Sequence, residues 1–365
     1  MTAHIIAACR SPVAPRDGAL AALDIHELGA PVVRAALAQA GIVADQVDEL
    51  IVSNALGAGG NPARHVALAA GLPERVAGLT LDRQCAGGMD AILLAMMMVQ
   101  SGAAKVVVAG GVESYSRRPL RARTFADGRP LEPYDQARFT PWPERDPDMS
   151  AAAAALGSKL GIGRTDQDTW AIQSHAKARA HVSSPNEIVP IANLTKDAFT
   201  RRLSAKLCER APVIIGDITA ANAAVAADGA AFCVVVAPEL AKGCRAVRIV
   251  GGATRGDAPD CPGLAPVAAI HNALARHNLQ PDDFSNVEIM EAYAVQAIAC
   301  VQGASLDPAR VNLGGGGLAR GHPIGASGAI NTVRLFHSLL GSGGTGLAAI
   351  AAAGGIGTAL ILDAG

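Results

Sequence analysis

The 365-residue sequence contains 50% hydrophobic and 17% charged residues, which is enough apolar material for one large core or two fused cores. Lys and Arg total 31 against 32 Asp and Glu, so the chain lacks the basic surface that nucleic-acid binding requires. Its longest apolar stretches, such as Ala91–Val99, are much shorter than the roughly 20 residues that span a bilayer. We therefore expect neither nucleic-acid binding nor membrane insertion.

The cysteines indicate a reducing compartment. Seven cysteines are scattered along the chain without CxxC spacing, which argues against a disulfide framework and against a metal site. No basic segment followed by an apolar segment opens the chain, because the first ten residues read directly as a short strand. A cytoplasmic protein without a bound metal is expected.

The first half of the chain alternates short β-rich runs with helical patterns. Strands are predicted at His4–Cys9, Glu49–Ser53, Gly78–Asp82 and Lys105–Ala109. Capping residues and glycines delimit helices at Asp24–Gly41, at Asn61 to about Ala70, and from Gln84 to Gly102.

A segment from about Ser114 to Ala220 interrupts this alternation. It contains the densest clusters of charge and proline, including Pro141–Pro147. We interpret residues 117–218 as an inserted loop domain and residues 1–116 plus 219–243 as one half of the protein. Residues 244–365 form the other half.

The second half repeats the order of the first. Strands are predicted at Val247–Gly251, Val287–Glu291, near Val311, at Leu347–Ala352 and at Gly357–Leu362, with helices at Pro266–Arg276, Ala292–Gln302 and Ile324–Leu340. The last strand has a counterpart in Ala230–Val236. Strands alternating with helices predict an α/β fold with parallel pairing, in which helices cover each strand layer. The apolar helices after Gln84 and Ile324 are expected to lie buried between the halves.

Cys85 and His322 stand at equivalent helix starts in the two halves. Cys85 lies in Gln84-Cys85-Ala86-Gly87-Gly88, where free backbone N–H groups and the helix dipole are expected to lower the thiol pKa. His322 is followed by Pro323, which fixes the entry to the second helix. A histidine there could deprotonate a nearby thiol or donate to a thioester oxygen.

Several segments resemble those of thiolases, in the same order. They are the helix start at Cys85, Gly110–Ser114, Asn222–Gly229, Glu291–Ala294, Gly321–Gly328 and Gly354–Gly357. The match covers nearly the whole chain, and the Gly321–Gly328 signature around His322 is its most specific part.

The resemblance implies a thiolase fold of two duplicated βαβαβαββ halves with a loop domain over the active site, assembled as a homodimer or homotetramer. It also implies ping-pong acyl transfer from acyl-CoA thioesters, with coenzyme A as a substrate moiety and no tightly bound cofactor. Cys85 would form an acyl-enzyme, and His322 would activate its thiol. Backbone N–H groups of Cys85 and Ala353 would bind the oxyanion. Glu291 could act as a base or hold a water, or could merely order its loop.

The same resemblance implies the residues that contact the substrate. They are expected at Asp148, Met149, Arg210, Ala224, Tyr293 and Pro323, although for Arg210 a solvated surface arginine is the simpler interpretation.

Two replacements at usual catalytic positions depart from the thiolase pattern. Thiolases usually carry a second catalytic cysteine where this chain has Ala351, and an asparagine where it has Met290. Because alanine has no titratable proton, altered proton handling is expected in a C-acyltransferase. Two alternatives remain open, namely thioester chemistry without carbon–carbon bond formation, and non-catalytic binding of acyl-CoA.

Overall fold

The computed structural model describes residues 2–57 and 59–365. The first half contains strands β1 (His4–Arg10), β2 (Ala14–Pro15), β3 (Glu49–Ser53), β4 (Leu79–Leu81) and β5 (Val106–Glu113), and helices α1 (Ile25–Ala40), α2 (Pro62–Ala69) and α3 (Gly87–Ser101). After the intervening segment, β10 (Ala227–Val236) and α7 (Pro238–Ala241) complete this half.

The intervening segment has short elements of its own. It contains strands β6 (Arg121–Arg123), β7 (Glu132–Tyr134), β8 (Val213–Ile215) and β9 (Ile218–Thr219), and helices α4 (Met149–Leu160), α5 (Arg164–Ala180) and α6 (Ala205–Glu209). All of these elements except the end of β9 lie within residues 117–218.

The second half contains strands β11 (Val247–Gly256), β12 (Phe284–Ile289), β13 (Thr345–Ala352) and β14 (Ile356–Asp363). Its helices are α8 (Ala265–His277), α9 (Ala294–Gly303), α10 (Gly317–Arg320) and α11 (Ile324–Ser342). The predicted helices and most predicted strands are therefore present, with ends that differ by a few residues.

Within the described residues, ten strands form one mixed sheet that runs through both halves. Its order is β4-β3-β5-β10-β1 and then β11-β14-β13-β12, with β2 beside β10. The halves meet where His4 and Ile5 of β1 pair with Arg248 and Val247 of β11. The strand order is mirrored about this junction, which confirms the predicted α/β duplication.

The expectation of parallel pairing holds for only part of the sheet. β3 pairs in parallel with β4 and β5, as β12 does with β13, but β10 and β14 run antiparallel to β5 and β13. A tight turn at Gly354-Gly355 joins β13 to β14, and so short a connection permits only antiparallel neighbours.

The strand predicted near Val311 is reduced to a single bridge with Val287. A 3₁₀ turn at Pro308–Arg310 precedes it, and Asn312 follows with a left-handed φ of 47°. Both neighbours interrupt the extended backbone that a longer strand needs.

The helices form layers on both faces of the sheet. α1 and α2 pack on the outer face of the first half, and α8 and α9 pack on the outer face of the second. α3 and α11 contribute to a central core shared with strands of both halves. The prediction that these two helices are buried between the halves is confirmed.

Two glycines allow α3 and α11 to pack backbone against backbone. A Cβ atom on Gly88 would lie 2.8 Å from the Ala329 nitrogen, and one on Gly328 would lie 2.7 Å from the Met89 nitrogen. Real Cβ atoms do not approach backbone atoms so closely. Since both glycines lie within a turn or two of the helix starts, this contact fixes the ends that carry Cys85 and His322.

Buried ion pairs attach the intervening segment to both halves. The Arg10 guanidinium in β1 lies 2.8 Å from Glu187 and 2.7 Å from Asp197, and Arg334 in α11 lies 3.0 Å from Glu187. Burial alone would raise the pKa of Glu187, but Arg10 and Arg334 lower it to about 2. The segment is thus connected to the strand and the helix that carry the central core.

No helix among the described residues combines the length and the apolar character needed to cross a membrane. All seven cysteines are free thiols.

Replacing Gly328 by Ala should destabilise the protein. The added Cβ must displace the Met89 backbone, and overpacking of this kind costs about 1–3 kcal/mol. A Cβ added to Gly341, in the last turn of the same helix, would meet no atom within 4 Å, so Gly341→Ala is the matched control. Denaturant unfolding should show a loss of stability for Gly328→Ala only; equal stabilities would contradict the packing described above.

Candidate active site

The structure brings Cys85 and His322 into direct contact. The Cys85 sulfur lies 3.1 Å from His322 Nε2, although 237 residues separate them in the chain. Gln84, with a left-handed φ of 50°, turns the chain from β4 into a 3₁₀ turn that runs into α3. His322 lies just before α11, for which Pro323 is the N-cap residue. The predicted pair of helix starts therefore forms one site.

Ser327 fixes the orientation of the imidazole. Its hydroxyl donates to the Pro323 carbonyl at 2.9 Å and lies 2.7 Å from His322 Nδ1. Because the hydroxyl has a single proton, it must accept a hydrogen bond from Nδ1–H. Nε2 is then unprotonated and directed at the thiol, so His322 is placed to accept the Cys85 proton.

The expectation of a lowered thiol pKa is wrong. Burial raises the pKa of Cys85 to about 12, and the nearby Glu113 carboxylate adds to this rise. Backbone N–H groups of Cys85 and Ala353 act in the opposite direction but are outweighed. Burial also lowers the pKa of His322 to about 4. The resting pair is consequently a neutral thiol and a neutral imidazole.

A cavity of about 430 Å³ opens above this pair, which is within the usual size range of small-molecule sites. Its walls come from three parts of the chain, the N-terminal half, the intervening segment and the C-terminal half. Ala351, Ala352 and Ala353 form one side next to Cys85. The cavity can therefore hold a ligand whose reacting atom faces the sulfur.

The residues predicted to contact substrate divide into two groups. Four of them line the cavity, namely Asp148, Met149, Ala224 and Tyr293. Asp148 also caps α4 through hydrogen bonds from the Ser150 and Ala151 N–H groups. Arg210 is exposed at the end of α6, Pro323 is buried next to His322, and neither is part of the cavity wall.

Glu291 does not face the catalytic pair. Its buried carboxylate accepts hydrogen bonds from Trp170 at 3.0 Å, Ser174 at 2.7 Å, Asn312 at 2.8 Å and the Leu318 N–H at 3.2 Å. Four donors leave little capacity to move a proton. The geometry supports the loop-ordering alternative and does not support a role as a base.

The two replaced positions are apolar, as the sequence indicates. Ala351 lines the cavity beside the pair, and Met290 is buried in the central core. Neither side chain can exchange a proton or hold a water at the reaction centre.

Two residues of the site had no assigned role in the sequence. Ser327 belongs to the histidine signature, and a hydroxyl five residues after a candidate base is the only local signal of its function. Glu113 ends β5, and its carboxylate accepts from Asn54 at 2.7 Å, the Ala55 N–H at 3.0 Å and the Gly325 N–H at 2.9 Å. Glu113 thereby holds the start of α11 against the first half.

Comparisons with known proteins agree with this architecture. Residues 3–239 match the family model described as "Thiolase, N-terminal domain", and residues 244–364 match "Thiolase, C-terminal domain". The Bacillus subtilis protein named "Putative acetyl-CoA C-acetyltransferase YhfS" is 39% identical over 100% of this chain and 99% of its own.

Two solved structures are also similar along their whole lengths. The Bacillus anthracis acetyl-CoA acetyltransferase shares 34% identity with a TM-score of 0.90, covering 99% of this chain and 98% of its own. An Ascaris suum thiolase in complex with coenzyme A shares 30% identity with a TM-score of 0.92, and the match covers 100% of both chains.

Replacing Ser327 by Ala should slow reactions of the Cys85 thiol. Without the hydroxyl, no hydrogen bond favours the His322 tautomer with its proton on Nδ1, so Nε2 accepts the Cys85 proton less often. Loss of one such hydrogen bond corresponds to a decrease of about tenfold in the rate of the thiol reaction. The rate of Cys85 alkylation by iodoacetamide at pH 7 measures this effect. Ser342→Ala, at the exposed end of the same helix, is the control, and an unchanged rate in Ser327→Ala would contradict the assigned tautomer.

Proposed function

Because the chain belongs to the thiolase family, we propose that it is an acyl-CoA C-acyltransferase that forms an acyl-enzyme on Cys85. The observation that carries this proposal is the 3.1 Å contact between the Cys85 sulfur and His322 Nε2 at the floor of a cavity. Relatives named as acetyl-CoA C-acetyltransferases support the same class of reaction.

The neutral pair supports a general-base mechanism for acylation. As the Cys85 sulfur attacks the thioester carbonyl carbon, its proton moves to His322 Nε2. The carbonyl oxygen becomes an oxyanion that accepts hydrogen bonds from the Cys85 and Ala353 N–H groups. The lowering effect of both N–H groups on the pKa of Cys85 supports this assignment. The carbon–sulfur bond to coenzyme A then breaks, and the departing thiolate takes the proton from His322.

Coenzyme A is proposed to lie along the wall that contains Asp148, Met149, Ala224 and Tyr293. These residues line the cavity, and the Ascaris suum thiolase with a similar fold is described in complex with coenzyme A. We do not assign Arg210 to this site, since it lies outside the cavity wall. Assembly as a homodimer or homotetramer remains a prediction.

The apolar side chains at Ala351 and Met290 favour a second candidate function. Acyl transfer to water or to a thiol needs the acyl-enzyme but no exchange of an α-carbon proton. An enzyme limited to this chemistry would acylate Cys85 yet neither form nor consume 3-ketoacyl-CoA.

Incubation with acetyl-CoA should add one acetyl group to the protein. Intact-mass analysis is expected to show the adduct on the wild type and on Cys244→Ala, which removes an exposed thiol, but not on Cys85→Ala. Absence of an adduct with acetyl-CoA and with longer acyl-CoAs would contradict the proposed function and favour non-catalytic binding.

A further inference from the structure

Most side chains of the cavity that could exchange a proton are already bound to protein partners. Asp148 accepts from the Ser150 N–H at 2.8 Å, and Asp135 accepts from Arg118 at 2.8 Å. The Tyr293 hydroxyl lies 3.0 Å from the Ser150 hydroxyl. The hydrogen bonds of these groups stabilise the cavity wall.

Tyr115 is the exception. Its phenol lines the same cavity as Cys85 and Ala351, and its hydroxyl forms no hydrogen bond with the residues that the structure describes. The next residue, Ser116, donates its backbone N–H to the Asp228 carboxylate at 3.0 Å. The chain beside Tyr115 is therefore anchored, and the phenol hydroxyl stays available to a ligand.

The surroundings of Tyr115 favour the protonated form of its phenol. Burial raises the pKa of its phenol, and the nearby Cys85 and Glu113 raise it further, against a smaller opposing effect of Arg118. At neutral pH the hydroxyl keeps its proton, and the phenolate formed after donation is a strong base.

We propose that Tyr115 is a catalytic residue that supplies the proton exchange for which Ala351 has no group. This inference rests on the proposed acyl-enzyme at Cys85. In thiolysis of a 3-ketoacyl-CoA, Tyr115 would act on the α-carbon.

Thiolysis would begin at C3 of the 3-ketoacyl-CoA. After its proton has moved to His322, the Cys85 sulfur bonds to C3, and the C2–C3 bond breaks with its electron pair on C2. The Tyr115 O–H bond breaks, and its proton goes to C2, which releases acetyl-CoA. An incoming coenzyme A thiol returns a proton to the phenolate, and its sulfur attacks the acyl-enzyme. Cys85 leaves and regains its proton from His322.

Thiolysis of acetoacetyl-CoA by coenzyme A tests this role in Tyr115→Phe. The variant keeps the ring and loses only the hydroxyl, so the rate should fall by about 10² to 10⁴. Tyr134→Phe removes a hydroxyl in β7, outside the cavity, and should leave the rate unchanged.

Two further readouts separate proton transfer from packing. Acetylation of Cys85 by acetyl-CoA should persist in Tyr115→Phe, because this half-reaction needs no α-carbon proton. Adding Ala351→Cys to Tyr115→Phe should restore thiolysis by at least about tenfold, since a thiol then stands at the vacant position.

Three outcomes would overturn the proposal for Tyr115. They are wild-type thiolysis by Tyr115→Phe, equal loss of acetylation and thiolysis in that variant, and a wild type that is acetylated on Cys85 but cleaves no acetoacetyl-CoA. The last result would leave the acyl-enzyme intact and favour acyl transfer to water or a thiol. Failure of the wild type to be acetylated would instead contradict the proposed function itself.

Discussion

The backbone contact between α3 and α11 at Gly88 and Gly328 is the constraint on which the site depends. Each helix belongs to a different half of the chain, and each starts at a candidate catalytic residue. Only glycine permits this approach, because a Cβ on either residue would meet backbone atoms at 2.7–2.8 Å. Once the helices are held this closely, the sulfur and the imidazole are brought within 3.1 Å of each other.

Burial between two halves then determines the charge state of the pair. The same low-polarity surroundings raise the pKa of Cys85 and lower that of His322, because both charged forms lose solvation. A neutral pair needs a correctly oriented base more than it needs a stabilised thiolate. This requirement explains why Ser327, which orients His322, and Glu113, which holds the start of α11, belong to the site.

The local parts of this arrangement could be predicted from the sequence. The cysteine and histidine signatures, the helix caps and the repeated order of strands and helices depend on short segments, and the structure contains them. The antiparallel β10 and β14 and the loss of the strand at Val311 depend on connection geometry and on neighbouring turns. The periodicity of apolar residues in the sequence does not predict these features.

Properties that depend on distant residues could not be predicted in this way. Glu291 stands in a motif beside Tyr293, but two of its hydrogen-bond donors, Trp170 and Ser174, come from the intervening segment. The pKa of Cys85 depends on burial by several elements, and a helix-start argument considers only one of them. Tyr115 lies 30 residues after Cys85 in the sequence, and only the folded chain shows that both face one cavity.

The protonation state of His322 tests the central claim most directly. Nitrogen-15 NMR of the imidazole across pH 5 to 8 should show a neutral ring with its proton on Nδ1, since the pKa is lowered to about 4 and Ser327 accepts from Nδ1–H. A doubly protonated ring at pH 7, paired with a Cys85 thiolate, would contradict the account of two helix starts that bury a neutral thiol and its base.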